Sequence, residues 1–163
     1  MTPLFELTLP DDSADAHFAP LQIALEGLCR INEWHIARAL RRTQKGIGEP
    51  LKPLYMSGVT YKEDEAGRED WSDIFKTYER GTGDCKKLVA IRIGELRCAG
   101  IQCEPVIKYQ WLPAALAHQL GYPEWFVNGE GLWLVHCLVR YGDGRVEDPS
   151  KILGMGGEYT NKS

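Results

Sequence analysis

Between Cys85 and Cys98 the apolar residues Cys85, Val89, Ile93 and Leu96 fall on one helical stripe, and Leu88 and Ile91 carry apolar character further round the cylinder. A helix of that kind belongs in a core, so the rest of the chain has to wrap around it. Gly81-Thr82-Gly83-Asp84 stands immediately before it, and a glycine-rich turn there delivers Cys85 to the first helical turn. Helix starts leave backbone N–H groups unpaired and carry a partial positive charge, which favours a thiolate and supplies donors to an oxyanion formed beside it. Cys85 is therefore the candidate nucleophile.

A chain of 163 residues suits one domain, residues 1–163, large enough to bury a core without metal or disulfide staples. A net charge of -4, with Lys and Arg scattered, argues against nucleic acid as the main partner. The opening Met1-Thr2-Pro3-Leu4-Phe5-Glu6-Leu7 has no basic n-region and no long apolar run. Neither a secretory signal nor a membrane partner is expected, and the expected location is the cytoplasm. The five cysteines contain no C-x-x-C pair, which fits a reducing compartment, and Cys29, Cys98, Cys103 and Cys137 read as small buried hydrophobes. No His cluster stands near Cys98 and Cys103 to complete a tetrahedral site, so neither a metal nor another cofactor is expected.

Residues 1–20 read as a short strand or extended arm followed by a loop, and Leu21 to about Arg42 as a long amphipathic helix in which His35 is a surface or satisfied core histidine. The Gly- and Pro-rich run 46–53 is a surface loop; 54–61 could be extended, and the charge-dense 62–70 reads as a solvated face. Trp71 to Arg80 suggests a short helix capped by Ser72 or Asp70, with Trp71, Ile74, Phe75 and Tyr78 on one stripe. Gly100 stops the core helix. Residues 101–109 alternate as a strand that Pro105 places at an edge or bulge, 111–125 form a Pro-flanked insertion with two helical turns near 113–121, and Leu132 to Tyr141 is a strand. The tail 151–163 shows no periodicity.

His136 lies in that last strand, and Asp148 follows the turn Gly142-Asp143-Gly144. A three-residue loop sets Tyr141 opposite Arg145 and Leu138 opposite Asp148, which makes His136 and Asp148 diagonal neighbours on one face, at a Cβ separation of about 7–8 Å or less. A two-residue loop would put them on opposite faces. In the first case His136 can draw the proton from Cys85 while Asp148 holds the ring. Backbone N–H groups near Asp84 and Cys85 are the natural oxyanion donors, with the indole N–H of Trp71 as a second candidate.

The Gly-Asp-Cys at a helix start within Arg80-Gly81-Thr82-Gly83-Asp84-Cys85-Lys86-Lys87-Leu88-Val89-Ala90, the later His, and Val146-Glu147-Asp148-Pro149-Ser150 resemble the core of transglutaminase-like proteins, which have the papain-like cysteine peptidase fold. Asn32-Glu33-Trp34, Tyr55-Met56-Ser57-Gly58-Val59-Thr60-Tyr61 and Gly67-Arg68-Glu69-Asp70-Trp71 are similar to small transglutaminase-like proteins of tailed bacteriophages. The resemblance implies an α+β fold, with a central helix bearing Cys85 packed on a small antiparallel sheet bearing His136 and Asp148, and a catalytic-type core over 71–150. It implies a protein or peptide substrate and, for a phage-encoded chain, a place in the host cytoplasm or the virion. The chain departs from the animal enzymes in having no acidic cluster that reads as a calcium loop. It also has no Gln shortly before Cys85 where a papain-type oxyanion donor would stand; Glu79 is near but cannot donate when ionised.

The expected function is cysteine-dependent acyl transfer with a Cys85-His136-Asp148 triad, by a peptidase, an amidase or a transglutaminase acting on peptide or isopeptide bonds. The alternative is a phage structural or assembly protein that docks virion proteins through the same fold without catalysis, using Trp111, Trp125, Phe126 and Trp133.

Overall fold

A computed structural model describes residues 14–64, 70–122 and 129–156. In chain order the elements are α1 (Ala14–Gln44), a 3-10 turn (Leu54–Met56), β1 (Thr60–Tyr61), α2 (Ile74–Arg80), β2 (Thr82–Gly83), α3 (Cys85–Cys98), β3 (Cys103–Pro113), α4 (Ala114–Gln119), β4 (Gly131–Tyr141), β5 (Val146–Glu147) and α5 (Pro149–Ile152). This is an α+β arrangement with two small sheets: β3-β4-β5, antiparallel throughout, and a two-residue parallel pairing of β1 with β2. No helix among the described residues is long and apolar enough to cross a membrane.

The core helix lies where its sequence requires. Leu88, Val89, Ala90, Ile91 and Ile93 of α3 are fully buried. One flank packs with Leu25, Leu28 and Cys29 of α1 and with Cys103, Cys137 and Val139 of the sheet; the other packs with Ile36, Leu54, Val59 and Ile74. The crossing of α1 and α3 is close because Gly94 has no side chain: a Cβ there would lie 2.9 Å from Glu33 N and 3.1 Å from Asn32 C. Asn32 is itself buried, and its Oδ1 accepts the Ile74 N–H at 2.8 Å, which ties the first residue of α2 to the middle of α1.

Several local expectations need correction. The first helix starts at Ala14, inside the stretch expected to be an arm, and carries Pro20 internally. Phe18 explains the extension: it is buried, stacked 4.4 Å from Tyr109 and edge-on 5.3 Å from Trp133, and this packing outweighs the hydrogen bond that Pro20 removes. Residues 1–13 of the expected arm and 157–163 of the tail lie outside the described residues. The stretch 54–61 is extended only at Thr60–Tyr61, since a 3-10 turn takes its first residues. Helix α2 is capped by Asp73, whose side chain accepts from Lys76 N at 3.0 Å, and the Ser72 hydroxyl is instead bonded to Asp70. Its buried face is Ile74 and Thr77, and Phe75 stands 47% exposed, off the expected stripe.

Strand β3 sits at the sheet edge, where Pro105 can lack an N–H without breaking a ladder. It runs on through Trp111 to Pro113, residues expected to belong to the insertion, before α4 supplies the helical turns. Trp133 packs with Phe18, Tyr109 and Trp111, while Trp125 and Phe126 lie outside the described residues.

Candidate active site

The β4–β5 hairpin closes through Gly142, Asp143 and Gly144. Tyr141 N–H donates to Arg145 O at 2.8 Å, Gly144 N–H donates to Tyr141 O at 2.9 Å, and Gly144 takes φ +87°, a conformation that favours glycine. The pairs Val139 with Glu147 and Arg140 with Val146 are those of the three-residue loop. In this register Asp148 reaches His136 diagonally, and His136 Nε2 lies 2.9 Å from Asp148 Oδ2.

The other carboxylate oxygen of Asp148 has a separate task. Asp148 caps α5, its Oδ1 accepting from Ser150 N at 3.1 Å and Lys151 N at 3.2 Å, with Pro149 at the first helical position. The neighbouring Glu147 is anchored as firmly: Oε1 accepts from Arg92 Nε of α3 at 2.7 Å and from the Tyr55 hydroxyl, and Oε2 accepts from the Tyr141 hydroxyl. The arm that carries Asp148 is thereby pinned to the core helix.

Cys85 opens α3 behind Asp84, the N-cap, whose Oδ1 accepts from Lys87 N at 3.2 Å. Cys85 as a residue is partly exposed and packs against the core cluster that contains Cys137. It lies close enough to His136 for each group to shift the ionisation of the other. With Nε2 engaged by Asp148, Nδ1 is the ring nitrogen left to face the sulfur. The hydrogen bond from Cys137 is the largest influence on Cys85; together with the bond to His136 and the imidazolium charge it overcomes burial and holds the thiol well below its ordinary range. Burial would lower His136, but the bonds to Asp148 and Cys85 and the charges they carry raise it to about 9. Burial also opposes ionisation of Asp148, and the bond to His136 and its charge reverse that and lower the carboxyl. These three shifts favour a thiolate, an imidazolium and a carboxylate in a row.

One feature beside the thiol departs from the sequence expectation. Lys86 and Lys87 are buried, 7% and 3% exposed. Cations at a helix N-terminus oppose its dipole, and three acids offset them here. Lys86 Nζ contacts Asp84 and lies 2.9 Å from Asp64 Oδ2; Lys87 Nζ contacts the other oxygen of Asp64 and lies 3.9 Å from Asp70 Oδ2. Asp64 and Asp70 belong to the run expected to be a solvated face; both stay partly exposed but turn a carboxylate inward to the lysines, and 65–69 lie outside the described residues. Two adjacent lysines in the first turn of an apolar helix were the available signal. Burial raises the Asp84 carboxyl despite its two ammonium neighbours, whereas the lysine hydrogen bonds to Asp64 overcome burial and lower it. Cys137 is buried as expected, in the cluster against which Cys85 packs.

No family model, curated protein or solved structure matches the chain. The site therefore has to be judged on its own geometry. Trp71 packs against the same cluster as Cys85, with Lys86 Nζ 5.6 Å from the centre of its ring, and Glu79 is exposed near the end of α2. Burial and the Cys85 charge raise the Tyr61 phenol, and partial burial and the same charge raise the Glu63 carboxyl, which puts both groups within electrostatic reach of the sulfur. His35 is a helix-surface histidine, with Nε2 3.4 Å from Asp73 Oδ2 and its ring edge-on to Trp34 and Phe75. No group of three or more metal-ligating side chains is found among the described residues.

Proposed function

We propose that the chain is a cysteine-dependent acyl-transfer enzyme of the papain-like, transglutaminase-like kind, acting on peptide or isopeptide amides as a peptidase, an amidase or a transglutaminase. The observation that carries this reading is the 2.9 Å bond between His136 Nε2 and Asp148 Oδ2, with Cys85 at the start of α3 within electrostatic reach of the imidazole. The Cys85 thiolate attacks the amide carbonyl, and the imidazolium proton passes to the departing amine. Water or a second amine, deprotonated by the now neutral His136, then attacks the thioester. The oxyanion falls beside the Cys85 N–H, which as the first residue of α3 has no acceptor within its helix. The Trp71 indole remains a candidate second donor on the strength of its packing against the same cluster.

A thiol-directed alkylating agent tests the reading. Iodoacetamide near pH 6.5 labels Cys85 faster than Cys98, which burial holds above its ordinary range, and His136→Ala removes the advantage. Turnover of amide substrates falls as pH rises through about 9, where His136 loses the proton needed by the leaving group. Labelling of Cys85 no faster than of Cys98 would refute the proposal and favour a docking module that does no chemistry.

A further inference from the structure

We propose a second binding site where α1, the loop 46–53 and α2 meet: a cavity of about 320 Å³ that takes a carboxylate carried beside a bulky apolar side chain of a partner peptide. None of Cys85, His136 and Asp148 lines it, so it stands independently of the acyl-transfer reading.

The charges call for an anion. Arg30, Arg80, Arg92, Arg97, Arg140 and Arg145 each pair with a carboxylate. Arg38, Arg41 and Arg42 have no carboxylate partner among the described residues, although the chain carries 23 acids. The dipole of α1 accounts for cations in its last turn, where Arg41 and Arg42 stand. Arg38 lies a turn earlier, with its guanidinium 5.3 Å from the centre of the Trp34 ring. Arg38 and Arg42, four residues apart on one face of α1, both line the cavity. Guanidinium forks match the paired oxygens of a carboxylate, and these two have none within the chain.

The rest of the lining calls for an apolar body beside that anion. Phe75 and Ile47 line the cavity with Leu51 and Ala39, and they stand 47% and 49% exposed. Phe75 is braced: the His35 ring is edge-on to it at 4.9 Å, and His35 Nε2 is in turn taken by Asp73 Oδ2 at 3.4 Å. A braced aromatic ring and a branched side chain left half exposed gain by being covered.

Glu49 narrows the choice of anion. It lines the same cavity, so two guanidinium charges are offset by one carboxylate charge. A ligand with a single negative charge balances the remainder, whereas a phosphate dianion overshoots it and is repelled by Glu49. The volume lies at the small end for a ligand pocket, which suits one bulky side chain with its neighbouring acid rather than a folded element.

Three small probes are titrated into the full chain carrying ¹³C in its isoleucine methyls, and the Ile47 resonance, assigned by its loss in Ile47→Val, is followed. N-acetylphenylalanine offers a terminal carboxylate, N-acetylglutamylphenylalaninamide places the acid on a side chain, and N-acetylphenylalaninamide keeps the ring without a charge. At least one acid is expected to shift Ile47 saturably, with a Kd of about 1 mM, and the uncharged amide to bind about tenfold more weakly. Preference for the first acid assigns the terminus of a partner chain, and preference for the second an internal acidic residue. Arg38→Gln and Arg42→Gln each weaken the acid by about three- to tenfold and leave the amide unchanged. Glu49→Gln tightens the acid, a gain that a misfolded variant cannot give. All three positions are exposed, so the unfolding midpoint and the labelling of Cys85 stay at their wild-type values.

An amide that binds as tightly as the acids, arginine variants that bind as well as wild type, or inorganic phosphate that moves Ile47 as far as either acid would each overturn the site. So would an Ile47 resonance that does not move with any probe up to about 10 mM. Each of these leaves the acyl-transfer reading intact, and slow labelling of Cys85 overturns that reading without touching this site.

Discussion

Replacing Asp148 by Asn separates the two tasks that one carboxylate performs. Asn caps a helix about as well as Asp, so its oxygen can keep the Ser150 and Lys151 N–H groups, but the atom then facing His136 Nε2 is an amide nitrogen that accepts nothing. Burial works against the charged ring, and the bonds to Asp148 and Cys85 nevertheless hold it at about 9 against an ordinary 6.5. At about 1.4 kcal/mol per pKa unit, this difference is worth roughly 3 kcal/mol to the folded state. Asp148 supplies the larger of the two hydrogen-bond contributions, so its share is about 2 kcal/mol.

The sign follows from a raised histidine: the stabilisation is fully present below the unfolded value of 6.5 and is lost as pH rises through about 9. Asp148→Asn is therefore expected to lose about 2 kcal/mol near pH 6 and well under 1 kcal/mol near pH 10. Asp148→Ala loses about 1 kcal/mol more at both, because the cap goes as well. Urea unfolding of the three proteins at both pH values measures each quantity. A penalty for Asp148→Asn that does not change with pH would sink the charge argument, and an Ala variant no worse than the Asn variant would sink the cap.

Two further substitutions probe what holds the nucleophile in place. Gly94→Ala puts a methyl 2.9 Å from the Glu33 backbone nitrogen, so α1 and α3 must separate, and thermal or urea unfolding is expected to show a loss of about 1–3 kcal/mol; an unchanged midpoint would mean that the crossing is looser than the structure shows. Asp64→Ala leaves the buried Lys86 and Lys87 with fewer acids and is expected to lose about 2–4 kcal/mol, whereas Asp64→Ala combined with Lys87→Met recovers part of it; no recovery in the double variant would show that the network is not a coupled unit.

How much of this was legible beforehand depended on whether the cause was local. The cysteine at a helix start, the glycine stop at Gly100 and the Gly142-Asp143-Gly144 loop are set by residues adjacent in sequence, and the loop length alone fixed the diagonal that joins His136 to Asp148. The misread pieces depend on distant partners. Ala14 to Pro20 is helical because Phe18 finds Tyr109 and Trp133 far along the chain, and Asp64 is drawn partly inward because it pairs with the buried Lys86 and Lys87. Neither pairing leaves a periodic mark.

The three groups of the site sit on three elements, so their alignment depends on what joins those elements. Hydrogen bonds local to each turn are not enough. The Asp84 cap fixes where α3 begins but not where β4 lies, and the Asp148 cap fixes α5 but not its distance from Cys85. Glu147 supplies the missing constraint, because it takes Arg92 from two turns further along α3, Tyr55 from the 3-10 turn and Tyr141 from β4 into one cluster directly beside Asp148. Burial alone would raise the Glu147 carboxyl, and its bonds to Arg92, Tyr141 and Tyr55 instead lower it, so the cluster is held by a charged acceptor. A charge-assisted bond of that kind is directional as well as strong, which suits a contact whose task is to set the position of the next residue. The core helix that most constrains the fold therefore acts twice on the site: its first residue presents the thiol, and its eighth, Arg92, holds the arm that orients the base.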